Sequence, residues 1–215
     1  METASVRRPN FFDLIYGVLF SPTDTFRVLS DVPPIGQAVA TLFILTLSNA
    51  VVSFSFFRTA FKDIPGVNPE LIPVFSGLFP LVLAFAVAFV GLKWFVFGAI
   101  LHLMAELLGG KGTPKGTLTV YALASLPGVF IIPVEILLKL LQVPEIAAAA
   151  MSGAVRIAVM IWGIVVLVIG LREIHSFSTG NAVLTIITPL VVFVVVSVAF
   201  IFVTLGALVP LFHLP

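Results

Sequence analysis

Residues 182–209 read AVLTIITPLVVFVVVSVAFIFVTLGALV, without one Asp, Glu, Lys or Arg. The uncharged run that holds this stretch extends from 174 to 215. About 20 helical residues reach ~30 Å, the thickness of the hydrocarbon core of a bilayer, so the stretch reads as a membrane-spanning helix. Working outward, further uncharged windows occupy 32–57, 71–92, 94–105, 116–134 and 157–171. The chain has 215 residues, with 11 Lys+Arg and 10 Asp+Glu spaced so as to leave these windows open. A soluble protein of this size has no core that hides so much apolar surface. The apolar blocks are continuous, not alternating, which favours helices over an outer-membrane barrel. The expected fold is all-α: a polytopic membrane bundle of five transmembrane helices with amino-terminal interfacial helices.

Composition narrows the function. Hydrophobic residues make up 60% and mean hydropathy is +1.23, both outside the usual globular range. A net charge of +1 gives no reason to expect a nucleic-acid partner. The absence of cysteine excludes disulfides, thiolate metal sites and cysteine nucleophiles. No cofactor and no metal are expected. The opening METASVRRPN lacks the pattern of a cleaved signal peptide, so the first span is expected to serve as the targeting signal.

Residues 1–34 are expected to form a cytosolic or interfacial segment, and 35–215 a five-span domain. In 10–30, Phe11, Phe12, Ile15, Leu19 and Phe20 suit one face of a short helix. Ser21-Pro22-Thr23-Asp24 is a helix start, with Ser21 at the N-cap and Pro22 at the first helical position. Two short helices at the interface, or a lead-in packed on the bundle, fit equally. The spans are placed at about 35–57, 78–104, 117–141, 154–171 and 182–209, with room for the second helix to run to Leu108 and the fourth to begin earlier. Residues 58–77, 145–153 and 172–181 read as connections. Gly109-Gly110-Lys111-Gly112-Thr113-Pro114 is a sharp helix stop. Pro127-Gly128 and Pro133 should kink or break the third span.

With the amino terminus inside, the inner flanks hold Arg7, Arg8, Arg27, Lys111, Lys115 and Arg172. The outer flanks then hold Arg58, Lys62, Lys139 and Arg156. The bias predicts a cell-membrane protein with a cytoplasmic amino terminus and an outside carboxyl terminus.

Few residues offer chemistry. Lys93 interrupts VGLKWFVFG within the second span, and an intramembrane ionisable residue is a functional hypothesis by default. Snorkelling explains it if the span ends near Gly98, but not if the helix continues to Leu108. His102 and Glu106, at i and i+4, should pair on one face, with Lys93 about half a turn away. Glu135 and Lys139 are spaced for a local ion pair. Mid-span Asn49 is expected to bond to another helix, and Arg156 to snorkel outward. The Gly109–Thr113 run is not a phosphate loop, because Gly112 follows Lys111 where Ser or Thr is needed. It reads instead as a basic turn touching anionic headgroups. Arg172, Glu173 and His175 form a second polar patch, with His175 read as an exposed loop residue. The histidines at 102, 175 and 213 fall on different segments, so no catalytic constellation assembles.

Four stretches together resemble the Yip domain family, the Ypt-interacting membrane proteins and their prokaryotic relatives. They are Leu19-Phe20-Ser21-Pro22-Thr23-Asp24-Thr25-Phe26, Leu107-Leu108-Gly109-Gly110-Lys111-Gly112, Tyr121-Ala122-Leu123-Ala124-Ser125-Leu126-Pro127 and Gly170-Leu171-Arg172-Glu173-Ile174-His175. Tyr121, Ser125 and Pro127 resemble the family's third-span motif; Gly109, Gly110, Lys111, Arg172 and His175 carry the rest. The resemblance implies five spans and a cytosolic amino terminus. It also implies, for eukaryotic members, links to Rab-type GTPases, vesicle budding and membrane shaping. Those members bind partners through a longer amino-terminal segment, so the short one here argues against GTPase binding and for a prokaryotic type.

The function expected is therefore non-enzymatic organisation of membrane or trafficking through lipid and protein contacts, with a homo-oligomer or another membrane protein as partner. Phe11, Phe12, Tyr16 and Phe20 would wedge into the inner leaflet, while Arg7, Arg8, Lys111, Lys115 and Arg172 hold headgroups. The alternative is a small transporter or channel in which Lys93, Asn49 and the broken third span line a pathway.

Overall fold

The computed structural model describes residues 10–62 and 71–208, and every regular element among them is helical. The helices are α1 (Phe11–Phe20), α2 (Pro22–Leu29), α3 (Ile35–Lys62), α4 (Leu71–Leu107), α5 (Pro114–Leu123), α6 (Ile131–Leu140), α7 (Glu145–His175) and α8 (Thr179–Leu208). A 3-10 segment, Leu126–Phe130, joins α5 to α6. Five stretches are long and apolar enough to cross a membrane: Ile35–Phe54, Ser76–Leu107, Pro114–Leu140, Glu145–His175 and Thr179–Leu205.

The helices overrun the apolar windows. α3 continues to Lys62 and α4 begins at Leu71, so much of the expected 58–77 connection is helix; 63–70 lie outside the described residues. α7 absorbs the expected 145–153 connection and continues through Arg172 to His175. Hydropathy marks where hydrocarbon begins, whereas a helix ends where a cap or breaker stops it. α4 is stopped by Gly109 at φ +83°: Gly110 N–H donates to the Ala105 carbonyl (2.8 Å) and Gly109 N–H to Glu106 (3.0 Å). This pairing is the Schellman cap, and glycine takes its left-handed residue without a Cβ clash. α5 then starts at Pro114, with Thr113 Oγ1 accepting from Gly116 N–H at 3.1 Å.

The third span breaks where its prolines predict. Pro127, which has no N–H to donate, falls in the 3-10 segment. Pro133 falls in the first turn of α6, where N–H groups lack helical partners in any case.

Buried side chains concentrate at the proximal end of the bundle, which carries α1 and α2. There Leu14, Val18, Phe26, Leu29, Val120, Leu123, Leu126, Val166 and Leu171 form one core. Gly170 faces Val120 and Phe26, and Gly163 comes up against the Ala124 carbonyl. Small residues of this kind let helices approach closely where water cannot drive association. Along α8, by contrast, Phe193, Phe200 and Phe202 are exposed, as lipid-facing residues are.

α1 packs on α2 and on the 3-10 segment, and α2 packs on α7. Both amino-terminal helices are thus held to the bundle. The face that α1 exposes is Phe12, Tyr16 and Phe20, spaced at i, i+4 and i+8; Leu14, Val18 and Leu19 are buried. The expected grouping of Leu19 with Phe12 and Phe20 is corrected, because the bundle covers Leu19. Ser21 makes no side-chain cap either; instead Thr25 Oγ1 donates to the Ser21 carbonyl at 2.9 Å.

Candidate functional site

The site is built on the turn 108–113, because that turn sets how the proximal ends of α4, α5, α7 and α8 meet. A short turn places the last turns of α4 beside the first turns of α5, which brings His102 and Thr117 together: His102 Nδ1 lies 3.1 Å from Thr117 Oγ1. α7 delivers His175 to the same point, with Nε2 2.8 Å from Thr117 Oγ1. His175 and Thr117 are fully buried, and the two imidazole centroids are 5.6 Å apart.

Hydrogen bonding assigns the tautomers. Gly112 N–H donates to His175 Nδ1 (3.2 Å), so the His175 proton sits on Nε2 and is donated to Thr117. The Thr117 hydroxyl is then left to donate to His102 Nδ1 or to the Thr113 carbonyl (3.3 Å). In the first case His102 carries its proton on Nε2, which is 3.3 Å from Glu106 Oε1. In that case the chain of donors runs one way, from Gly112 to Glu106. Lys111 N–H also donates to the His175 carbonyl (3.1 Å), Phe177 stacks on the His175 ring, and Asn181 Nδ2 donates to the Leu108 carbonyl (3.2 Å). A Cβ at Gly110 or Gly112 would come within 2.6 or 2.8 Å of His175 Nδ1. The turn is therefore moulded onto the histidine. The arrangement is a clasp: Thr117 Oγ1, the hydroxyl between two imidazoles, has no route to a substrate in this conformation. His175 is corrected from an exposed loop residue to a fully buried one, because α7 continues past the apolar window and carries it inside.

Around the clasp the charges are sorted. Glu173 accepts from Arg27 Nε (3.3 Å) and from Arg172 Nη2 (2.6 Å), so both arginines are drawn to one carboxylate. Lys111 and Lys115 are exposed and have no acidic partner among the described residues. Lys115 lines a crevice with Pro33, Pro34 and Gln37. Arg7 and Arg8 lie outside the described residues, as does His213. Phe11 is half-buried and meets Phe12 edge to face, and Tyr16 packs on Phe20.

Farther into the bundle, the break in the third span leaves a cavity of about 300 Å³ between α4 and α7. Lys93, Trp94, Tyr121, Ser125, Gly128 and Gly163 are among its lining residues. α4 continues to Leu107, so Lys93 lies ~20 Å from the end of its helix by the helical rise. Trp94 Nε1–H donates to the Leu118 carbonyl (3.0 Å), which holds one wall. Ser125 Oγ donates to the Ala122 carbonyl (2.6 Å), and Pro127 is buried behind it.

The other intramembrane polar residues are placed separately. Asn49 Nδ2 donates to the Leu45 carbonyl of its own helix (2.8 Å), not to a neighbour as expected. Glu135 is paired with Arg156 of α7, whose own side chain remains exposed. Lys139 is exposed near the end of α6. Thr117 and Trp94 carry no role in the sequence reading, and Thr113 enters it only as part of the helix stop. A signal for Thr117 existed in its position, since it and His102 flank the turn at similar distances.

A model of the Yip1 domain matches residues 16–201 of the chain. No curated protein and no solved structure matches it.

Proposed function

The chain belongs to the Yip1 domain family, and from that premise we propose that it is a non-enzymatic membrane protein that organises its bilayer through lipid and protein contacts. The observation that supports this reading is the pairing, at one end of the bundle, of an exposed aromatic row with exposed lysines. Phe12, Tyr16 and Phe20 stand away from the core on α1. Lys111 and Lys115 project near the clasped turn, while Arg27 and Arg172 are taken up by Glu173. Aromatic side chains partition into the headgroup boundary, and each lysine near an anionic surface adds ~1 kcal/mol. The proximal end then faces the cytoplasm, in the cell membrane, and the aromatic row wedges into the inner leaflet. A second copy or another membrane protein would pack on the exposed helices.

The test reconstitutes the full chain into vesicles of phosphatidylcholine with phosphatidylglycerol. Lys111→Glu with Lys115→Glu should weaken retention of the anionic lipid by about 30-fold, from ~2 kcal/mol lost. Phe12→Ser with Phe20→Ser should abolish any narrowing of the vesicles that the wild type causes. Unchanged lipid retention and vesicle diameter in both variants reject the reading.

A second reading, a small transporter or channel, draws on Lys93 standing at a cavity beside the broken span. It requires solute flux that is lost in Lys93→Met; equal flux in variant and wild type removes it.

A further inference from the structure

We infer that the cavity at the break of the third span holds one anionic lipid. Its acid group pairs with Lys93 Nζ and the Tyr121 hydroxyl, and an acyl chain lies between α4 and α7. The inference rests on the reading that lipid is a working partner of this protein, but on residues separate from Lys111 and Lys115.

Charge carries the first step. Lys93 is exposed on the bundle surface, inside the span Ser76–Leu107. No described acidic side chain pairs with it: Glu106 is beside His102, and Glu135 is beside Arg156. An ammonium at membrane depth without a partner is strongly disfavoured. The bilayer itself can supply an anion that arrives with its own apolar anchor.

Geometry carries the second step. The cavity exists because α5 ends at Leu123 and the chain resumes as α6 only at Ile131, which leaves α4 and α7 apart at that level. Tyr121, at half burial, has no hydrogen-bond partner among the described residues, so its hydroxyl is an uncommitted donor on a residue that lines the same cavity as Lys93. Ser125 has already given its proton to the Ala122 carbonyl, so the donors on offer are Lys93 and Tyr121. Both suit phosphate or carboxylate oxygens. A volume of about 300 Å³ takes an acid group and the first methylenes, not a whole lipid. The rest of the chain has an apolar path along exposed Phe89 of α4 and Met160 and Ile164 of α7.

The experiment counts lipids retained by the full chain in native mass spectrometry, with phosphatidylglycerol as probe and phosphatidylcholine, oleate and inorganic phosphate as competitors. The expected result is one tightly held phosphatidylglycerol that persists in the wild type, in Lys93→Arg and in the Lys111→Glu/Lys115→Glu protein, the last losing only more weakly held surface lipid. Lys93→Met should hold it at least tenfold more weakly, and Tyr121→Phe several-fold more weakly. Oleate should displace it and inorganic phosphate should not. Tyr121→Phe decides the matter if Lys93→Met does not fold. Retention in Lys93→Met or Tyr121→Phe equal to wild type overturns the inference, as does equal retention of phosphatidylcholine or displacement by inorganic phosphate alone. Loss of the tightly held lipid only in the Lys111/Lys115 variant sinks the inference and leaves the surface reading standing; its loss in Lys93→Met, with the Lys111/Lys115 variant keeping all the lipid of the wild type, does the reverse.

Discussion

Replacing His175 by alanine should release the turn 108–113. His175 is fully buried, and its ring accepts from Gly112 N–H and donates to Thr117 Oγ1. In His175→Ala, Thr117 is not stranded, because His102 Nδ1 (3.1 Å) and the Thr113 carbonyl (3.3 Å) remain within reach. Gly112 N–H loses its acceptor, at ~1 kcal/mol for a partly buried donor. Loss of the ring contacts with Phe177 and His102, and the void left behind, add ~2 kcal/mol. A total of about 3 kcal/mol corresponds to roughly 100-fold easier opening. Hydrogen exchange of the full chain in nanodiscs, read on a peptide covering Gly109–Thr113, reports that opening. Asparagine separates the two contributions, since its Oδ1 stands close to where Nδ1 does and keeps the Gly112 bond. His175→Asn should therefore exchange markedly more slowly than His175→Ala. Protection unchanged in the alanine variant would refute the clasp, and equal exchange in both variants would refute the acceptor role.

Gly112→Ala places a methyl 2.8 Å from His175 Nδ1 and 2.9 Å from the Ile174 carbonyl. It should cost ~1–3 kcal/mol and lower the unfolding temperature in detergent, whereas Gly153→Ala, with open space around it, should not. Gly163→Ala drives a methyl to 2.9 Å from the Ala124 carbonyl, so it should push α7 off the break and destabilise by a similar amount on the same thermal scan. Arg156→Met leaves Glu135, whose side chain is 12% exposed, without its cation. It should cost ~1–3 kcal/mol, and adding Glu135→Gln should recover most of the loss; no recovery in that double variant counts against the pair.

Legibility followed the range of the physics involved. The five spans were readable because desolvation of charge is local: a window of residues either carries Asp, Glu, Lys and Arg or does not. The break at Pro127 and the stop at Gly109-Gly110 were readable for the same reason, since each is set by the backbone of a few neighbouring residues. Helix ends were less readable. Arg58, Arg156 and Arg172 mark edges of apolar windows, but α3 and α7 continue through them because nothing there interrupts the ladder of backbone bonds.

Partners across the bundle were not readable. Asn49 turned to its own helix and Glu135 to Arg156, choices fixed by which helices lie side by side. His102 and His175 belong to different segments and look unrelated, yet they share the Thr117 hydroxyl. Hydropathy and cap chemistry, which act along the chain, determined that this protein is a five-span helical membrane protein with a broken third span. Only the tertiary structure decided that His175 is enclosed, that Glu173 gathers two arginines, and that Lys93 and Tyr121 border one cavity. Those outcomes depend on helix rotation and neighbour choice, which are settled by packing between distant residues and leave no periodic trace in a single segment.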